Sequence, residues 1–231
     1  MSKADLKVDW ATHAAAKYAC ENWHYSGCLP AGKLVKVGAW ENGKYIGVVL
    51  FARGATPNLV KPYNLSQSEC VELARVALTN HKSAVSRIVA ISLLFLRKSN
   101  QKLKLIISFA DQTQGHHGGI YQAGNWIYTG QSQPDRFFMI NGKITHRRSM
   151  GSLGLTQNIN GARKLDSNAV AVNVPGKHRY LMPLDDEMRA KIAPLAKPYP
   201  KRPQQAMAGD HPAQRQCDTD PDAPSSSAGG E

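Results

Sequence analysis

The chain has 231 residues, 42% of them hydrophobic and 20% charged, enough apolar material for one sizeable domain with appendages. Its formal charge of +12 is unevenly placed: residues 204–231 hold Arg215 against five acids, so residues 1–203 carry 28 basic and 12 acidic side chains, about +16. The longest apolar stretch, Ile88 to Leu96, is broken by Ser92 and falls well short of the ~20 residues of a membrane span. The four cysteines, Cys20, Cys28, Cys70 and Cys217, have neither C-x-x-C spacing nor the density of a disulfide scaffold. These features argue against a helical membrane protein and a stapled secreted domain. They favour a soluble, cytoplasmic protein with reduced thiols and no membrane partner, whose basic part attracts a polyanion.

Asp9 is a candidate N-cap for a first helix running to Asn22, with Trp10, Ala14 and Tyr18 at helical spacing toward a core. WHYSGCLPAGK breaks it, and Val35 to Phe51 follows as a hairpin turning on Asn42-Gly43, a pair that tolerates positive φ. Gly54 to Ser68 reads as a loop, Cys70 to Leu78 as a strand, and Arg87 to Lys98 as an apolar helix. A strand from Leu103 to Phe109, a short helix from Gly119 to Ala123 and a strand from Trp126 to Tyr128 come next. RFFMINGKITHRR is a second hairpin, turning on Asn141-Gly142; Leu153 to Val174 fits no single pattern. His178 to Met182 is a last strand and Asp185 to Leu195 a last helix, so the ordered domain spans residues 1–196. Residues 197–231, rich in Pro, Ala, Ser and Gly, read as a disordered tail. The order is mixed α/β, with a crossover helix between neighbouring strands.

Chemistry concentrates in SFADQTQGHHGGIYQAGNW, Ser108 to Trp126, a polar, glycine-rich loop directly behind an apolar strand. Asp111, beside Ser108 at the strand end, is a candidate general base or, more plainly, a helix cap. His116 and His117 are candidates for base, phosphate or metal ligand. Trp126 and Tyr128 pack the core, the favoured reading, or stack an extruded base, for which Trp126 is the candidate. His24 and Tyr25 of WHYSG are placed to reach the same pocket, with Ser26 and Gly27 allowing close backbone approach. Arg75 puts a charge in an apolar strand, where it needs a carboxylate, Glu72 for instance, or a phosphate. Cys20, His24 and Cys28 are spaced four apart like ligands, but Gly27 and Pro30 interrupt any helix there. Iron, if used, would prefer histidine with carboxylate.

Two resemblances rest on these segments. Over Val35 to Gln133 the element order resembles the GNAT-type N-acetyltransferase fold, a mixed, mostly antiparallel sheet with a splayed central strand pair and flanking helices. That resemblance implies that CVELARVAL, with Ala77 and Leu78 near its end, splays from its neighbour. It also implies that the following loop, HKSAVSR, offers backbone N–H groups to the pyrophosphate of acetyl-CoA. Ser83, Ala84, Ser86 and Arg87 are the residues concerned, Ala84 and Ser86 standing where the family keeps glycines. Tyr121 falls where such enzymes keep a general acid for the leaving thiolate. WHYSGCLPAGK, ELARVAL and SFADQTQGHHGGIYQAGNWIYTG together resemble the Mom family, over essentially the whole chain. That resemblance implies an enzyme that converts adenine in DNA to its N6-carbamoylmethyl form, a transferase protecting phage DNA from host restriction. On that reading Tyr25, Ser108, Asp111, His116 and Tyr121 are the catalytic set. Ser108 and Asp111 face the adenine, and Gly118 to Tyr121 face the donor.

The implied product constrains the donor. Its N6 is bonded to a methylene and its carbonyl carries a further nitrogen, so simple transfer from acetyl-CoA does not make it. Activated glycine, such as glycyl-tRNA, acylating N6 and then rearranging, does. DNA phosphates would be met by His24, Tyr25, Arg75, Arg136, Lys143, Arg147, Arg148, Lys177 and Arg179, with His146, Arg163 and Lys164 nearby. Two other readings are an acyltransferase acting on a small amine or tRNA and a non-catalytic basic DNA-binding protein.

Overall fold

A computed structural model describes residues 5–54, 57–151 and 153–202. Seven strands form one sheet, in the order β1 (Leu6–Trp10), β2 (Leu34–Glu41), β3 (Lys44–Ala52), β4 (Cys70–Leu78), β5 (Leu105–Ala110), β10 (His178–Pro183) and β6 (Ile127–Gln131). All neighbours are antiparallel except β4 and β5. A parallel pair needs a crossover, and α2 (Val85–Ser99) supplies it. That helix packs Ile88, Val89, Leu93 and Leu96 onto one face of the sheet, over Val49, Phe51, Leu73 and Ile106. The short α3 (Gly119–Ala123) lies on the same face through Tyr121. On the opposite face α1 (His13–Trp23) covers Val48, Leu50 and Ala77, and α6 (Asp186–Ile192) covers Leu105, Ile107 and Leu181. The expected mixed, mostly antiparallel sheet flanked by helices is present.

Between β6 and β10 the chain builds a second sheet, β8 (Lys143–His146), β7 (Asp135–Ile140) and β9 (Val170–Val174), with α4 (Arg147–Gly151) and α5 (Ile159–Leu165). Its own core is Phe138, Ile140, Met150, Ala162 and Ala169. Here lies the stretch from Leu153 to Val174 that fitted no single pattern: it holds one short helix and one strand. The chain leaves and re-enters the large sheet side by side, Ser132 N–H donating to Lys177 O at 2.9 Å and Lys177 N–H to Ser132 Oγ at 2.9 Å.

The start of the chain departs from expectation. Asp9 does not cap a helix; it sits in β1, paired with Gly38. LKVDW alternates, Leu6 and Val8 packing on the core, and the cap is Thr12, whose hydroxyl accepts from Ala15 N at 3.1 Å. The buried face of α1 is correspondingly Ala16, Ala19 and Cys20 rather than Trp10, Ala14 and Tyr18. Small side chains let this helix lie close against β3 and β4, whereas Tyr18 remains 54% exposed. Both Asn-Gly hairpins form as expected, with Asn42 at φ 51° and Asn141 at φ 49°. Lys197 to Arg202 run along the large sheet rather than away from it: Lys197 N–H donates to Tyr128 O, Tyr199 hydroxyl to Trp126 O. The rest of the expected tail, residues 203–231 with Cys217, lies outside the described residues.

Candidate active site

The register of β4 against β5 runs from Cys70 opposite Leu105 to Leu73 opposite Ser108, while β4 continues to Leu78. The pairing of β3 with β4 is irregular at the same level, between Leu50 opposite Arg75 and Phe51 opposite Leu73. Such an extra residue bends a strand. The two parallel strands therefore part just beyond Leu73, and a cleft opens toward their C-terminal ends, where α/β sheets commonly take ligands.

Ser108 stands at the fork. Fully buried, its Oγ lies 2.8 Å from Leu73 O and 2.7 Å from the Tyr121 hydroxyl. A serine has one hydrogen and a carbonyl can only accept, so the consistent arrangement has Ser108 donating to Leu73 and Tyr121 donating to Ser108. The serine thereby replaces the strand partner that Leu73 loses as β4 peels away. Tyr121 is wedged between Trp126 and Tyr180, ring centroids 5.0 Å from each, and burial pushes its hydroxyl up to about 12. It is a held, protonated phenol at the cleft's apex.

The loop beyond β5 carries Asp111, whose carboxylate accepts from Thr113 N at 3.0 Å and Thr113 Oγ1 at 2.6 Å and pairs with Lys177 Nζ at 3.0 Å. Burial favours the neutral acid, but Lys177 and the Thr113 donors outweigh it and hold Asp111 below the usual carboxylate range. Asp111 is thus the cap of the next turn and an ionised anchor for Lys177, a weak base in this state. Gly118 takes φ +86°, and a Cβ there would fall 2.3 Å from the Tyr180 ring, so only glycine allows the loop to fold onto it. Tyr180 hydroxyl then donates to His117 O at 2.6 Å.

Across the cleft the end of α1 brings three rings together: His24 stacks on Tyr25 at 4.2 Å, and Tyr25 meets His116 edge-on at 5.5 Å. Ser26 N–H donates to His24 Nδ1 at 3.1 Å, so that nitrogen carries no proton and the neutral ring bears its hydrogen on Nε2. Burial, then Arg75 and His116, push His24 down to about 4. His24 is therefore a hydrogen-bond donor. His116 is also lowered, by burial and by His117 against the opposing pull of Asp111. Neutral and reaching solvent, it is the better-placed base. Burial raises Tyr25.

Arg75 enters this cluster from β4, its guanidinium donating to Cys28 Sγ at 3.7 Å and acting on Cys20, His24 and Tyr25. The Cys20, His24 and Cys28 spacing thus surrounds a guanidinium. No group of three or more His, Cys, Asp or Glu is gathered as metal ligands among the described residues. Nor does any ion pair join Arg75 to a carboxylate among those residues. A positive charge at the cleft mouth suits an anionic substrate.

HKSAVSR lies between β4 and α2, where a pyrophosphate-binding loop would be, and two of its backbone donors meet a carboxylate, whereas α2 itself starts without a side-chain cap. Glu41, at the end of β2 and 7% exposed, accepts from Lys82 N through Oε2 and from Ser83 N through Oε1, each at 2.8 Å. Those N–H groups, Lys82 first, hold Glu41 below the usual carboxylate range. Arg87 N–H and Ile88 N–H turn back to Ala84 O. Glu41 thus places negative charge beside the loop that carries Ser83, Ala84, Ser86 and Arg87 and takes two of its N–H groups. Ala77 and Leu78 pair with Val48 and Gly47 of β3, and Ala77 is fully buried beneath α1.

The expected DNA contacts divide into groups. Trp126, at 1% exposure, is core, and cannot stack an extruded base without unpacking Tyr121. Arg179 is held in the large sheet, its Nε donating to Thr129 Oγ1 at 2.9 Å. Lys177 belongs to the cleft through Asp111, with His24, Tyr25 and Arg75. Arg136, Lys143 and Arg147 lie on the small sheet and its first helix, as does Arg148, whose side chain falls outside the description. Reasoning from sequence missed Glu41. A lone acid before an Asn-Gly turn carries no local signal of a partner 41 residues away.

The profile of the Mom protein family matches residues 5–201. The methylcarbamoylase Mom of Escherichia phage Mu is 22% identical over 204 residues, covering 85% of this chain and 84% of that protein. Among solved structures, yncA, a putative acetyltransferase from Salmonella typhimurium described with its cofactor acetyl-CoA, is 10% identical. It covers 78% of this chain and 95% of its own, with a TM-score of 0.45. A putative acetyltransferase from Acinetobacter baylyi ADP1 is 12% identical over 80% of this chain and 95% of its own, with a TM-score of 0.43. The family match takes in both sheets and every side chain of the cleft, from His24 to Lys177, and on that ground the chain belongs to the Mom protein family.

Proposed function

We propose that this protein modifies adenine in DNA, installing a carbamoylmethyl group on N6 and so shielding phage DNA from restriction in the host cytoplasm. The observation that carries the reading is membership of the Mom family over residues 5–201, whose phage Mu relative is named a methylcarbamoylase. The cleft agrees with it. Arg75 and Lys177 supply positive charge, Tyr25 offers a half-buried ring for an extruded base, and His116 is a neutral base beside them.

The donor that suits the product is an activated glycine ester rather than acetyl-CoA, because N6 ends bonded to a methylene and the carbonyl carries a further nitrogen. Glu41, which takes the Lys82 and Ser83 N–H groups, supports that reading by placing negative charge beside the loop. Adenine N6 attacks the glycyl carbonyl, His116 taking its proton, and the ester oxygen leaves as an alcohol with a proton delivered at Tyr121. The glycyl amine then attacks C6 through a five-membered ring, and the original N6 departs as the carboxamide nitrogen. Adenine and glycyl ester thus become N6-carbamoylmethyladenine and alcohol, without oxidant, reductant or added ammonia. Ser108 positions the Tyr121 hydroxyl throughout.

The test is a nucleoside digest of DNA from cells expressing the chain, read by mass for a gain of C2H3NO on deoxyadenosine. Absence of that gain rejects the reading in favour of a small-amine or tRNA acyltransferase or a non-catalytic DNA-binding protein. Feeding 15N-glycine tests the donor separately: label on the N6 nitrogen of the product is expected, and its absence removes the glycyl route.

A further inference from the structure

The small sheet contains a second pocket, of about 560 Å³, open on one side and lined by side chains of β7, α4, α5 and β9. Its lining includes three arginines, Arg136, Arg147 and Arg163, beside the apolar Ile159 and Val170. Val170 is 54% exposed, a large apolar side chain kept in solvent beside these charges. Arg147 Nε pairs with Asp135 at 3.5 Å. Arg136 and Arg163 meet no carboxylate within ion-pair distance among the described residues. Two guanidiniums with no ion-pair partner among the described residues, lining one cavity with apolar side chains, suit a phosphodiester whose sugar or base rests on those apolar groups. The segment around it is basic throughout: residues 132–177 hold seven Lys and Arg against Asp135 and Asp166.

The chain path fixes how far this pocket stands from the cleft. Arg136 pairs in register with Asn173, and four residues further on Lys177 reaches Asp111 at 3.0 Å. Four residues span at most about 14 Å. Gln112 of the cleft loop also donates through Nε2 to Gly176 O, tying the two regions together. The pocket is therefore within reach of a few nucleotides of a strand held in the cleft.

We propose that this pocket is a phosphodiester subsite that grips the DNA strand flanking the modified adenine, with Arg136 and Arg163 as its phosphate ligands. The proposal rests on DNA being the substrate. Each phosphate contact releases counterions and contributes about 0.7 to 0.9 to the slope of log affinity against log salt. The test is fluorescence anisotropy of the full chain on labelled single- and double-stranded DNA across a salt series. Wild type is compared with Arg136→Gln/Arg163→Gln and with a charge-matched control, Lys98→Gln/Lys102→Gln, both exposed and remote from this sheet. A slope reduced by about 1.4 to 1.8 in the arginine variant alone is the expected result. An unchanged slope, or an equal reduction in the lysine control, overturns the proposal. So does a variant that loses affinity for transfer RNA and keeps it for DNA, which would assign the pocket to the donor. The adenine product is scored on the wild-type protein: wild-type product with an unchanged slope in the variant rejects the pocket alone, and a reduced slope in the variant with no wild-type product rejects the adenine reading alone.

Discussion

Replacing Tyr121 by Phe removes one buried oxygen and leaves the ring stack with Trp126 and Tyr180 in place. Ser108 keeps Leu73 O as acceptor, so no buried group loses its last partner. The cost in stability is that of one hydrogen bond, about 0.5–1.5 kcal/mol, or a few degrees in Tm for a chain of this size. Ser108→Ala is different, because it strips partners from both the Leu73 carbonyl and the Tyr121 hydroxyl. At about 1–3 kcal/mol for each orphaned group, the loss is roughly 2–6 kcal/mol. Stability thus separates the two variants, and rate should rank them otherwise. If the Tyr121 hydroxyl delivers the proton to the leaving oxygen, Tyr121→Phe loses about 10²–10⁴ in the initial rate of adenine modification while folding nearly as well as wild type. The assay is initial rate by nucleoside mass spectrometry, alongside urea unfolding of the same preparations. A Phe variant within about threefold of the wild-type rate would refute a catalytic hydroxyl and leave Tyr121 as core.

Coenzyme A and acetyl-CoA should show no saturable binding by calorimetry, because Glu41 occupies the Lys82 and Ser83 N–H groups; tight binding lost in a Ser86→Asp variant would contradict this. His24 is held neutral by burial, with a folded value of about 4 against an unfolded value near 6.5. Between those values the unfolded chain binds the extra proton, so stability is full above pH 6.5 and falls as the pH drops toward 4. The loss is of the order of 2 kcal/mol after allowing for partial exposure, and unfolding curves at pH 7 and pH 4.5 should flatten toward each other in His24→Gln. Gly118→Ala forces a methyl group into the Tyr180 ring at positive φ, and should cost about 2 kcal/mol or more; thermal melting indistinguishable from wild type would show that the loop does not depend on that glycine.

Local chemistry made most of the elements legible. The two Asn-Gly turns, the strand CVELARVAL and the helix GIYQA form at or near the boundaries their residues suggest. The failures have a common cause. LKVDW is too short for its alternation to compete with an apparent cap and aromatic spacing, and it becomes a strand only because β2 offers it a partner. Trp126 reads from sequence as core first and as a stacking ring second, and only Tyr121 packed against it removes the second reading.

The residues alone established a basic α/β domain with its polar, glycine-rich chemistry directly behind a strand, because turn propensity, hydrophobic period and charge are properties of contiguous segments. Tertiary structure decided which of those side chains meet and in what protonation state. Lys177 reaches Asp111 across 66 positions, Tyr121 reaches Ser108 across a strand and a loop, and Glu41 closes a loop 41 residues away. A carboxylate's role as base, cap or plug depends on its nearest donors, and those come from elements that only folding brings within 3 Å.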